Sequence, residues 1–313
     1  MRKAAGLFSV LLAATALAAC GGSGDGNADG DGGLSGLIEA DGSSTVGPFA
    51  SAAAQQFKQE EPDVNVTVGI SGTGGGFERF CAGETDLSNA SRAIEEEERT
   101  ACQQKGIPFT EFHVANDGIA NVVNVDNDWA ECLTVAQLKK IWAPGSKVKS
   151  WRDVDPSFPA AELKLFGAGT DSGTFDFFTE QIVGEEGASR SDYSATENDN
   201  VTVRGVSGEE GGLGYFGLSY FEENRSQLKD LAVNDGSGCV KPTRETVQNG
   251  TYKPLSRPLF VYAKNSSLER PEVQAFLRFV IDNGTRIADA AKFVPLTPAQ
   301  KQTAERKLDE ATR

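Results

Sequence analysis

The sequence predicts an α/β protein. Segments with period-two hydrophobicity alternate along the body of the chain with segments of helical spacing, the pattern of strands crossing to helices in largely parallel sheets. Three short loops rich in Ser, Thr or Gly each stand between a strand and a helix. The length of 313 residues leaves room for two domains of about 100–200 residues each. With 39% apolar and 24% charged residues the chain can bury a core.

The elements follow in order. Gly36–Gly42 reads as a strand entering a turn, and 46–59 as a helix with Phe49, Ala53 and Phe57 on one face. Residues 64–70 alternate as a strand; Ser71-Gly72-Thr73-Gly74-Gly75-Gly76 is a loop opening a helix at Phe77. A short strand lies within 86–92, an exposed charged helix at 95–104, and a strand at 119–125. A second unit starts near Asp126, with a helix at 133–142 and a strand at 163–167. A polar glycine loop at 168–174 precedes a helix at 175–183 that aligns Phe175, Phe178 and Ile182. Residues 201–206 read as a strand, 211–217 as a glycine-rich loop, 259–263 as a strand, and Pro271–Asp282 and 298–308 as closing helices.

Charge and rare residues exclude several functions. Thirty basic against 45 acidic side chains give a formal charge of -15, which opposes general binding to nucleic acid or anionic lipid. The single histidine, His113, excludes any metal site with two His ligands and has no Ser or Cys motif pointing to it, so it reads as structural. Glu95-Glu96-Glu97-Glu98 reads as a solvated helix face; Trp129, Trp142 and Trp151 read as packing residues of the second unit.

Met1-Arg2-Lys3 is a positive start to an apolar run, 4–19, that is too short and too Ala-rich for a membrane span. It ends Leu17-Ala18-Ala19-Cys20-Gly21, which resembles the bacterial lipoprotein signal. That resemblance implies cleavage before Cys20, a lipid on its thiol, and a mature charge of -15 - 2 = -17 after loss of Arg2 and Lys3. Residues 21–36 carry eight glycines in sixteen positions and read as a flexible tether with a reach of roughly 20 Å. Four cysteines remain, Cys81, Cys102, Cys132 and Cys239. In an exported chain an even number without a CxxC pair suggests two disulfides, with three connectivities open.

Ser43-Ser44-Thr45, Thr73-Gly74-Gly75-Gly76 and Asp171-Ser172-Gly173-Thr174 share one chemistry. A helix start offers unpaired N–H groups and partial positive charge, glycine admits a ligand to the backbone, and Ser or Thr adds a hydroxyl donor. Each alone reads equally as an N-cap; three together point to an oxyanion. No Walker motif, GxxxxGK followed by Ser or Thr, is present.

The ordered motifs Ala40-Asp41-Gly42-Ser43-Ser44-Thr45-Val46-Gly47-Pro48, Gly72-Thr73-Gly74-Gly75-Gly76-Phe77 and Asp86-Leu87-Ser88-Asn89-Ala90-Ser91-Arg92 resemble the periplasmic phosphate-binding proteins of phosphate ABC transporters. Gly169-Thr170-Asp171-Ser172-Gly173-Thr174-Phe175, Leu213-Gly214-Tyr215-Phe216-Gly217 and Tyr252-Lys253-Pro254-Leu255-Ser256-Arg257-Pro258-Leu259 continue the resemblance over roughly 37–310. It implies a two-domain periplasmic-binding-protein fold of class II type. The domains are discontinuous, 37–125 with 257–313 and then 126–256, and a ligand cleft lies between them. With that division Cys81 and Cys102 share one domain, and Cys132 and Cys239 the other. The resemblance implies phosphate ligation by Ser44, Thr45, Thr73, Ser91, Arg92, Ser172, Gly173 and Thr174. Two departures are visible: Ser91 stands where the best-known branch has Asp, and Ala168 where it has Arg. The cation then comes from Arg92 and from Arg190, and Asp171 becomes the carboxylate that meets the phosphate proton.

The resulting expectation is a non-enzymatic, monomeric, lipid-anchored receptor for inorganic phosphate at the periplasm or cell surface. It needs no cofactor or metal and delivers its ligand to ABC transporter permease subunits. The alternatives are an exported enzyme on phosphate esters, for which no nucleophile–acid pair or two-metal constellation is visible, and a receptor for sulfate or molybdate.

Overall fold

The computed structural model describes residues 33–170, 172–196 and 198–313. The leader 1–19, Cys20, the stretch 21–32 and Asp171 lie outside the described residues.

Among the described residues eleven strands form one curled sheet system: β1 (Gly36–Gly42), β2 (Val64–Val68), β3 (Leu87–Ala90), β4 (Phe109–Asn124), β5 (Cys132–Thr134), β6 (Lys164–Ala168), β7 (Ser194–Thr196), β8 (Gly212–Gly217), β9 (Leu228–Asn234), β10 (Cys239–Val240) and β11 (Ser256–Lys264). The main path runs β2-β1-β3-β11-β4-β8-β6-β7, with β9 on β4 and with β5 and β10 on β9. The α/β class holds, but the expectation of largely parallel sheets does not. β1/β2, β1/β3, β6/β8, β6/β7 and β5/β9 are parallel, whereas β11 and β4 run antiparallel to every neighbour. These two strands carry the chain between the two halves of the sheet, and a returning strand must reverse direction.

β4 is the longest strand at 16 residues and joins the halves. Its first part pairs with β11 from Phe109↔Lys264 to Gly118↔Ser256. Its second part pairs with β8, beginning at Ile119↔Gly217, and with β9. Sequence reading found only the second part, because the first, Phe-Thr-Glu-Phe-His-Val-Ala-Asn-Asp-Gly, breaks its apolar pattern with polar residues.

Three clusters of buried side chains flank the sheet. One packs Trp142, Trp151, Phe178 and Tyr215, with Trp129 against its edge, as expected of the tryptophans. A second packs Phe49, Ala53 and Phe57 of the helix Gly47–Glu60 against Phe276 and Leu277 of the helix Pro271–Asp282. Phe57 meets the Phe276 ring edge-on at 5.3 Å. Burying each such ring contributes about 1.5–3 kcal/mol. The third holds Phe77, Phe80 and Tyr262 around Cys81 and Cys102. Disulfides join Cys81 to Cys102 and Cys132 to Cys239, the pairing expected from the domain division.

Three local readings are corrected. Residues 201–206 belong to a helix, Asp199–Ser207, capped by Asn198, because Thr202, Val203 and Val206 bury on one helical face. The helix packs close on the sheet at Gly205, where a Cβ would lie 2.3 Å from the Phe166 ring. The glycine-rich segment at 211–217 is β8 rather than a loop, since Leu213, Tyr215 and Phe216 are buried and the glycines admit the helix above. The helix expected from Phe77 begins at Gly72 and so absorbs the glycine run. After Phe178 the helix widens into a π turn, Thr179–Val183. Among the described residues no helix is long and apolar enough to cross a membrane, and no cluster of His, Cys, Asp or Glu could hold a metal ion.

Candidate functional site

β1, β2 and β3 are mutually parallel, so the segments that follow them emerge at one edge of the sheet. There they line a cavity of about 550 Å³ with Ser44, Thr45, Thr73, Gly74, Ser91 and Arg92. Asp176, Phe177 and Glu180 face it from the helix and π turn that follow β6, and Ser256, Arg257 and Phe260 from β11. Five of the residues expected as ligands are thereby brought together.

The first-turn N–H groups of the helix Gly72–Cys81 receive no side-chain cap and no acidic residue. Behind that turn the buried Asp41 accepts from Gly42 N at 2.6 Å and Ser71 Oγ at 3.0 Å and pairs with Arg79. The carboxylate thus fixes the loop entering the helix. Thr73 Oγ1 lies 3.1 Å from Ser91 Oγ and accepts from Ser91 N at 3.3 Å, so the second and third segments are tied directly.

Arg92 lines the cavity, but its fork is not free. Nη1 and Nη2 donate to the two Glu98 oxygens at 2.9 and 2.8 Å, and Nε lies 3.3 Å from Glu95. The hydrogen-bonded Glu98 carboxylate raises the Arg92 pKa against the opposing effect of burial. Glu98 is therefore more than part of a solvated face. It also closes a capping box with Glu95 at the start of the helix Glu96–Gln104.

Ser172, Gly173 and Thr174 are not on the cavity wall. Ser172 caps the short helix Gly173–Phe178 by accepting from Thr174 N at 3.2 Å. Gly173 meets the wall through Thr45, whose hydroxyl donates to the Gly173 carbonyl at 3.3 Å. A Cβ at Gly173 would stand 2.6 Å from Thr45 Oγ1, so this approach needs glycine. Arg190 is placed elsewhere. It is 4% exposed, pairs with Asp192 at 2.6 Å, and donates to the Ile141 and Val148 carbonyls at 3.1 Å each. Its hydrogen bonds hold three chain segments together. Asp171, the expected selectivity carboxylate, lies outside the described residues.

Arg257, which the sequence does not single out within Tyr252–Leu259, lies on the cavity wall. Its side chain is 11% exposed, Nε reaches Asp117 Oδ2 at 3.3 Å, and Nη2 donates to Thr45 Oγ1 at 2.6 Å and to Gly173 O at 3.4 Å. The guanidinium lies over the Phe177 ring, 3.7 Å from its centroid. Burial lowers its pKa, and Asp117 opposes the shift. The available signal was a cation beside Pro258 in the crossing segment, which reads as ordinary without knowledge of what it faces.

His113 Nε2 sits 3.0 Å from Asn116 Oδ1 and its ring 5.6 Å from Phe260, a structural placement as expected.

Residues 23–283 match the family model described as the PBP superfamily domain. The chain is 46% identical over 271 residues to Protein SphX of Synechococcus elongatus, covering 86% of this chain and 80% of that protein. It is 42% identical over 298 residues to the phosphate-binding protein PstS of Staphylococcus saprophyticus, covering 94% and 90%. The crystal structure of a possible phosphate binding protein from Planctomyces limnophilus superposes with a TM-score of 0.85 at 46% identity, covering 90% of this chain and all of that one.

Proposed function

Because this chain belongs to the phosphate-binding protein family that includes PstS and SphX, we propose that its cavity binds inorganic phosphate for delivery to an ABC transporter permease. The observation that carries this reading is the convergence of Ser44, Thr45, Thr73, Ser91 and Arg92 on one cavity beside an uncapped helix start. Hydroxyl and backbone N–H donors suit a small oxyanion, and water exclusion on closure strengthens each of them. Ser172, Gly173 and Thr174, of which Gly173 meets the cavity wall through Thr45, complete the expected set.

The division into 37–125 with 257–313 and 126–256 makes β4 and the start of β11 the crossing segments of a hinge. Each disulfide then lies inside one domain and leaves closure unhindered. The receptor acts as a monomer without catalytic turnover, is exported, and is held to a membrane by lipid on Cys20. The test is titration calorimetry of the mature protein with phosphate, sulfate and a phosphate monoester. Saturable phosphate binding without ester turnover is expected. Turnover of the ester, or preference for sulfate, overturns the reading.

A further inference from the structure

We propose that Arg257 is a second anion-binding residue of the cavity and acts as a clasp between the segments that meet there; this rests on the phosphate-receptor reading. Four separate segments meet at this one side chain. Asp117 comes from β4, Thr45 from the turn after β1, and Gly173 and Phe177 from the helix after β6; Arg257 itself comes from β11. The contacts to Thr45 and Gly173 can coexist only while those two residues touch, as they do here.

The donor count leaves room for a ligand. Nε serves Asp117 and Nη2 serves Thr45 and Gly173, while Nη1 makes no hydrogen bond to a described residue and the residue lines the cavity. Arg92 is in the opposite condition, with Nη1 and Nη2 both on Glu98 and Nε beside Glu95. A dianion in this cavity therefore finds its less encumbered guanidinium at Arg257. The Phe177 face and the Asp117 carboxylate hold the guanidinium in one plane, so Nη1 can donate to the anion with little reorganisation.

The Thr45 hydroxyl has a single proton, which goes to Gly173 O while Arg257 donates to its oxygen. The hydroxyl is thus a link in the clasp rather than a donor to the anion, and only the Thr45 backbone N–H is left for the ligand.

The experiment is calorimetry with inorganic phosphate on the mature protein and on Arg257→Ala and Arg257→Lys, each first confirmed folded by circular dichroism. Wild-type binding of phosphate is the control on the receptor reading, and its failure is a failure of that reading, not of this one. With the control met, we expect a loss of at least 100-fold in Arg257→Ala, partial restoration by added guanidinium, and a loss of at least 10-fold in Arg257→Lys. A folded Arg257→Ala within threefold of wild type overturns the proposal. Should the alanine variant not fold, a crystal structure of the wild type with phosphate decides. Nη1 within about 3.2 Å of a phosphate oxygen supports it, and Nη1 beyond that reach from all of them overturns it.

Discussion

Arg257 Nη2 donates to the hydroxyl of Thr45 at 2.6 Å, and the same hydroxyl donates onward to the carbonyl of Gly173. One side-chain oxygen so ties a segment of β11 and the turn after β1 to the helix after β6. Thr45→Val keeps the shape and removes the link, leaving a buried guanidinium N–H and a carbonyl without this partner. The expected cost is about 1–3 kcal/mol in phosphate binding, with Thr45→Ser close to wild type. Calorimetry on the two variants checks it, and equal affinities for valine and serine would assign the effect to the backbone alone.

Arg92 is shared between the cavity and Glu98. Arg92→Ala is expected to lose most phosphate affinity and Arg92→Lys a substantial part, because lysine lacks the planar fork. Glu98→Gln keeps a hydrogen-bond partner but removes the competing charge, so phosphate affinity should rise by about 1 kcal/mol, the scale of a partly exposed pair. A fall in affinity would make Glu98 an orienting group instead.

The two disulfides close loops of very different length, with sequence separations of 21 and 107. Loop entropy gives about 3 kcal/mol for the shorter and about 4.7 kcal/mol for the longer. Replacing Cys132 and Cys239 together by serine should therefore lower the unfolding free energy more than replacing Cys81 and Cys102. Urea titration of both double variants gives the order.

Burial holds the His113 pKa below its ordinary value, with the Asn116 hydrogen bond and Glu111 opposing and Lys307 adding to the shift. The unfolded chain then takes up a proton first as pH falls. The His113 contribution is fully present above about 6.5, the unfolded value, and is lost as pH falls toward the lower folded value. His113→Gln should flatten the melting temperature between pH 7 and pH 5 relative to wild type, as scanning calorimetry would register.

If Cys20 carries the proposed lipid, Cys20→Ser should release the protein from membranes without altering phosphate binding, since Cys20 precedes the start of β1 at Gly36 by sixteen residues. Fractionation and calorimetry of the released protein test both halves of that statement; lost binding would contradict the separation.

The sequence made legible those elements whose hydrophobic period matches their burial. β1, the helix with Phe49, Ala53 and Phe57, and the helix Pro271–Asp282 fall where the spacing puts them. It misled where tertiary packing overrides local pattern. Val201-Thr202-Val203-Arg204-Gly205-Val206 alternates like a strand, yet buries Thr202, Val203 and Val206 as a helix because Gly205 lets it press on Phe166. In the cavity, the loops that follow β1 and β2 were readable, since each announces itself by glycine and hydroxyl residues, whereas Ser91 and Arg92 after β3 were reached only through the family resemblance. Arg257 was not, because an arginine's partners depend on distant segments: Asp117, Thr45 and Gly173 lie 140, 212 and 84 residues away. Arg190 stays away from the cavity because the Ile141 and Val148 carbonyls, 49 and 42 residues away, hold it together with the neighbouring Asp192.

The Cys132–Cys239 bond fastens β5 and β10, both of which pair with β9. A peptidase outside the cell that cut any exposed turn within that covalent ring would leave the pieces joined and the strands in register. Such nicked molecules would migrate as intact protein until a reductant opened the ring. For a receptor exported as proposed, the bond would keep damage of this kind from ending its service.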